Sequence, residues 1–169
     1  DNTPTDAILS ETLLSQASFD KFTAISVKGD QVWTYDEKYG AKMSGYNGSG
    51  TDANEDWFLT PALDLTGKSS VTLTFDHAFG PAYAMPDTDA KKAQYTLWIC
   101  NDYNGDGNVA AASWKELKGM AYGTEGWAYI TSGEITIPAE NLTTNCRIAW
   151  KYVCDTESST WEIKNVVIK

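Results

Sequence analysis

No stretch of this chain carries a helical period. Apolar residues instead alternate with polar ones in short runs, and Gly, Asn, Asp and Pro fall between the runs. A period of two places successive side chains on opposite faces of an extended strand. Val71, Leu73 and Phe75 alternate with Thr72, Thr74 and Asp76. Tyr95, Leu97 and Ile99 oppose Trp98 and Cys100. Cys146, Ile148, Trp150, Tyr152 and Cys154 share one face, with Arg147 and Lys151 on the other. Further runs cover 8–14, 31–36, 40–46, 56–60, 113–118, 127–137 and 160–168, and one helical turn within 16–23 points Phe19 and Phe22 inward. The last run starts with Trp161 and Ile163 inward and ends with Val166 and Ile168 in the opposite phase, which predicts a bulge near Asn165. About ten short strands separated by turns specify an all-β protein, an antiparallel jelly-roll β-sandwich. Its first and last strands are expected side by side.

A length of 169 residues suits one domain, taken as 8–169, preceded by a polar, proline-containing tether at 1–7. Cys146 and Cys154 sit on one strand, roughly 26 Å apart at strand rise, so they cannot pair with each other. Three buried thiols at Cys100, Cys146 and Cys154 are expected. The formal charge of −10 argues against nucleic acid, whose binding rests on Lys and Arg against phosphate. It argues equally against anionic membrane surfaces, and no stretch is apolar enough to be inserted in a bilayer. The charge suits a solvated extracellular domain or a binder of divalent cations, and a monomer is expected.

The sharpest local motif is Asp102-Tyr103-Asn104-Gly105-Asp106-Gly107-Asn108. Oxygen-bearing side chains at alternate positions, with glycine for a tight turn, form the first half of a calcium loop. Ligands would be Asp102, Asn104, Asp106 and the carbonyl of Asn108. Position 12 of that pattern is Ser113, and the flanks read as strands, so this is not an EF-hand; the alternative is a polar turn built on Asn-Gly and Asp-Gly. His77, the single histidine, reads as a hydrogen-bonded core residue at a strand end. Trp57, Phe75, Trp150 and Trp161 fall on apolar faces. Tyr39, Tyr46, Tyr83, Tyr103 and Trp127 fall in or beside loops, where aromatic faces can stack on the C–H faces of sugar rings or simply anchor the loops.

Four segments together resemble a known family. They are Ile8-Leu9-Ser10-Glu11, the run Glu55-Asp56-Trp57-Phe58-Leu59-Thr60-Pro61-Ala62-Leu63-Asp64-Leu65, Leu73-Thr74-Phe75-Asp76-His77, and Thr160 to Ile168. The pattern is similar to choice-of-anchor J domains of Bacteroidetes secreted proteins, to the cleaved-adhesin modules of gingipain-type haemagglutinins and, more distantly, to MAM domains. The resemblance implies a jelly roll on a secreted or surface-anchored, lipid-anchored protein, an adhesion or glycan-binding role, and structural Ca2+. It implies a second cation site at Glu11 with Asp56, joined by Asp52 or Asp36. Relatives carry an acidic residue where this chain has Lys164, so an ion pair between Lys164 and Glu11 is the alternative, with Asp56 capping a turn.

Three functions are weighed. The first is a non-catalytic surface module that binds glycan or a host surface protein through end loops. The second is a ligand-free spacer. The third is a hydrolase using a carboxylate pair, although no pair stands out and no G-x-S-x-G elbow is present.

Overall fold

The computed structural model describes residues 7–169, so all but Ala7 of the expected tether lies outside the described residues. Twelve strands form: β1 (Leu9–Glu11), β2 (Thr23–Lys28), β3 (Thr34–Asp36), β4 (Gly40–Ser44), β5 (Asn54–Leu59), β6 (Thr72–Gly80), β7 (Tyr95–Cys100), β8 (Lys115–Glu116), β9 (Ile130–Thr131), β10 (Ile135–Thr136), β11 (Arg147–Cys154) and β12 (Thr160–Ile168). Two one-turn helices, α1 (Gln16–Phe19) and α2 (Asp89–Lys92), interrupt them.

One sheet runs β10-β6-β12-β4-β3, with β1 also on β12 and β9 on β6; the other runs β2-β5-β11-β7-β8. All ladders are antiparallel. The first and last strands do meet: Leu9 lies opposite Ile168. The predicted bulge is present, since the β12–β6 register shifts between Lys164 and Val167 and Asn165 takes a φ of 55°. That one left-handed residue reverses the phase, so Trp161, Ile163, Val166 and Ile168 are all buried.

Between the sheets, Phe58, Phe75, Phe79, Trp150 and Trp161 are essentially inaccessible. Phe22 stacks on Phe58 at 4.9 Å, and Phe75 meets Trp150 edge-on at 5.3 Å. Truncating a buried aromatic of this size costs about 3–5 kcal/mol, so this aromatic layer is what joins the sheets. A smaller cluster lies on the outer face of the five-stranded sheet, where Trp57, Leu59, Cys100, Tyr103, Val109 and Ala149 pack together. The loop after β7 folds back to cover it.

Registers explain the free thiols. Cys100 lies opposite Arg147 and belongs to the outer cluster. Cys146, the next residue, therefore points inward and belongs to the main core, as does Cys154. Neighbouring thiols on opposite faces of one sheet cannot bridge.

Three expectations need correction. Strand β2 lies where the sequence predicts no strand; the helical turn expected within 16–23 is present as Gln16–Phe19, capped by Ser15 Oγ accepting from Ser18 N at 3.1 Å. The run 127–137 splits into β9 and β10, because Gly133 turns the chain at a φ of 74° and Ser132 Oγ leaves the strand pattern to accept from Phe75 N. The run 8–14 stops at Glu11, because buried Leu13 adopts a φ of 61°.

Candidate functional site

On the outer face of the seven-stranded sheet, the registers set Thr160 between Ser44 on β4 and Gly80 on β6. Ser44 and Thr160 form the floor of a cleft of about 340 Å³ whose walls include Tyr46, Tyr83 and Trp127. The three rings come from three different connections and are 59%, 57% and 50% exposed. Trp127 is held by its backbone: φ is 66°, and its N–H donates to Phe79 O at 2.7 Å. Its indole lies across Gly80, where any Cβ would collide with the ring. Tyr46 donates its hydroxyl to Gly48 O at 2.9 Å, and Tyr83 directs its hydroxyl to Ser158 O at 3.5 Å. These bonds fix the edges of the tyrosines and leave their faces open.

Five of the other indoles have their N–H groups engaged by the protein's own acceptors. Trp33 donates to Asp56 O, Trp57 to Glu55, Trp98 to Thr96, Trp114 to Val109 O and Trp161 to His77, while Trp150 is sealed in the core. At the cleft's inner end Lys42 faces Glu162 across the β4–β12 ladder. Glu162 is almost fully buried; burial raises its carboxyl above the usual range and the Lys42 charge pulls the other way. The cleft therefore offers hydroxyl groups, one lysine and three aromatic faces.

Of the loop aromatics picked from sequence, the structure brings Tyr46, Tyr83 and Trp127 together and leaves two out. Tyr39 is half buried, with Lys38 and Lys42 over its ring at 5.2 and 5.8 Å, and its carbonyl accepts from Tyr129. Tyr103 is 3% exposed and is not a surface contact. The apolar outer face of the five-stranded sheet needs a cover, and Tyr103 supplies it, with Arg147 over its ring at 5.0 Å. Sequence reasoning missed Ser44, Thr160 and Gly80, whose convergence depends on strand register.

In the 102–108 loop every candidate side chain accepts a backbone N–H. Ser113 N donates to Asp102 at 2.8 Å, Asp106 N to Asn104 at 3.0 Å and Asn108 N to Asp106 at 2.8 Å. The Ser113 bond holds Asp102 below the usual carboxylate range, and together the three shape the turn through the protein's own groups.

Glu11 accepts from Ser18 Oγ at 2.8 Å and pairs with Lys21. Lys164 instead lies over the Tyr129 ring at 3.9 Å, so the expected Lys164–Glu11 pair does not form. Asp56 caps no turn: it sits mid-strand on β5, opposite Ser26 and Tyr152. It is fully buried, and neither carboxylate oxygen has a hydrogen-bond partner. Burial pushes its carboxyl up to about 7, with Glu55 adding to the rise. Ser26 offsets part of this, although its own hydrogen bond goes to Gly29 O at 3.2 Å. Asp52 is engaged by Asn47 and Gln31, and Asp36 by the backbone of Lys38 and Tyr39. Glu11 and Asp56 lie on different sheets, and among the described residues no three His, Cys, Asp or Glu side chains gather as a metal would require. The Glu11–Asp56 set does not fit a cation.

His77 is fully buried. Its Nε2 meets Ala121 O at 2.8 Å and its Nδ1 accepts from Trp161 Nε1 at 3.0 Å. Burial lowers its pKa to about 4, so the ring is neutral and its N–H lies on Nε2. It pins the 117–129 connection, which carries Trp127, to the sheet beneath.

The sequence matches no protein-family model and no curated relative. Solved structures do resemble the fold. The K3 cleaved adhesin domain of Lys-gingipain from Porphyromonas gingivalis W83 superposes with a TM-score of 0.59 at 19% identity, covering 96% of each chain. The K1 domain from the same organism gives 0.58 at 16%, covering 95% of this chain and 96% of its own. The K2 domain gives 0.57 at 11%, covering 95% and 98%. A two-sheet sandwich closed by its first and last strands and superposing end to end on these domains has the cleaved-adhesin fold.

Proposed function

We propose that this chain is a non-catalytic carbohydrate-binding module working outside the cytoplasm, at the bacterial outer-membrane surface. The observation that carries this reading is the convergence of Tyr46, Tyr83 and Trp127, three half-exposed rings from separate connections, over a floor of Ser44 and Thr160. A sugar ring has an apolar C–H face and a rim of hydroxyl groups, and the cleft offers a match for each. Preset rings spend little conformational entropy on binding. The solved neighbours are named adhesin domains, which agrees with a surface-binding role. His77 has both nitrogens engaged in the core and suits a structural role.

The test is a glycan array followed by titration of the best ligand. Trp127→Ala is expected to weaken binding at least tenfold with little change in melting temperature, because a central aromatic anchor typically contributes about 2 kcal/mol or more. An array without hits would overturn the glycan reading. In that case the same cleft would be tested against host surface proteins.

Calcium enters this reading as a stiffener of the 102–108 loop, held by Asp102, Asn104, Asp106 and the carbonyl of Asn108. Removing it with EDTA is expected to lower the melting temperature by a few degrees. An unchanged melting curve would remove calcium from the proposal and leave the cleft intact.

A further inference from the structure

The opposite face of the sandwich holds a second cavity, of about 420 Å³, beside β7, β8 and β11, and three lysines line it: Lys92, Lys118 and Lys151. The chain carries only 13 Lys and Arg against 23 acidic residues, so three ammonium groups around one cavity, facing Asp89 and Glu116, reverse the local sign of charge. Lys118 pairs with Glu116 at 2.6 Å and is thereby neutralised. Lys151 sits over Trp57 at 5.1 Å and Trp98 at 5.2 Å, and Lys92 over Tyr122 at 5.5 Å. Neither forms a salt bridge among the described residues.

An aromatic face attracts an ammonium without neutralising it. It fixes the position of the charge and leaves N–H donors free, since each ammonium has three. Trp98 is half buried with its N–H tied to Thr96 Oγ1 at 2.8 Å, which fixes the indole beside these charges. The long-range field of an acidic protein opposes an anionic ligand, but at physiological salt that field decays over about 8 Å, so the local lysines dominate.

We propose that this cavity is a second sugar site, selective for an acidic residue: Lys92 and Lys151 take a carboxylate or sulfate group and Trp98 takes the ring face. The aromatic cleft on the other sheet has a single lysine, Lys42, set opposite the buried Glu162 in the β4–β12 ladder, so of the two sites the lysine-lined cavity is the one that favours an acidic ligand.

Isothermal titration of the purified chain with a glucuronate-containing tetrasaccharide, a sulfated tetrasaccharide and a neutral one, each up to 5 mM, tests this. At least one acidic ligand is expected to bind, and the two acidic arms tell carboxylate from sulfate. Lys151→Gln and Lys92→Gln are each expected to weaken that binding tenfold or more, whereas Trp127→Ala leaves it unchanged. Because the Lys151 stem covers Trp57, melting temperature is recorded for each variant, and the more peripheral Lys92→Gln decides the matter if Lys151→Gln unfolds. No heat from either acidic ligand, binding indifferent to Lys92→Gln, or loss through Trp127→Ala would overturn the second site. The last result would leave the aromatic cleft standing.

Discussion

Two ionisable residues face each other's sheet across the aromatic core, and the protein treats them in opposite ways. His77 on β6 and Asp56 on β5 are both fully buried. The histidine has a partner at each nitrogen; the aspartate has none at either oxygen. A buried polar group with its hydrogen bonds made adds stability and specificity, while one left unpaired costs its full desolvation. The contrast separates a group that holds the fold from one that strains it. It also bears on binding, because His77 secures the connection that presents Trp127.

The sharpest way to break this contrast is His77→Leu. It orphans Trp161 Nε1 in the core and cuts the tie to Ala121 O on the partly exposed connection, so a loss of about 2–3 kcal/mol is expected by urea denaturation. Weaker glycan binding should accompany it if the 117–129 connection loosens. Asp56→Asn should act in the opposite direction. With a carboxyl raised from 3.8 to about 7, the unfolded chain ionises before the folded one, so stability is lost between those pH values, and the amide should stabilise the domain by roughly 4 kcal/mol at pH 8. Below pH 4 the two proteins should be equally stable.

The pH profile sharpens the contrast further. The His77 pKa falls from 6.5 to about 4 on folding, so its contribution is full above 6.5 and lost as pH falls through 4. Asp56 is raised, so its contribution is full below 3.8 and lost as pH rises through about 7. Over pH 4 to 6.5 the slopes oppose, each about 1.4 kcal/mol per pH unit at most, and the wild type should show a nearly flat profile. Asp56→Asn should expose stability rising with pH, and His77→Leu stability falling with pH. Parallel profiles for all three proteins would refute both assignments.

Most of the sandwich was legible from alternation, because burial on one face forces a period of two. Strand β11 and the bulge at Asn165 were read residue by residue. Strand β2 was not, for a physical reason: Thr23 to Lys28 is an edge strand, exposed at nearly every position, and without a buried face its sequence carries no alternation. Tyr46, Tyr83 and Trp127 were legible as loop aromatics, but their meeting was not, since it depends on how β4, β6 and β12 align. Tyr103 misled because a loop residue can be a lid. No pattern marked Asp56 as buried and unpaired, since a carboxylate beside Trp57 and Phe58 looks like any outward-facing strand position.

The pairing of Leu9 with Ile168 also governs how this domain would meet mechanical load. A pull applied at residues 8 and 169 acts on neighbouring points of one short ladder. It peels the two strands apart sideways and does not shear one along the other. The hydrogen bonds would break in succession, like a zipper, so the domain should yield at low force.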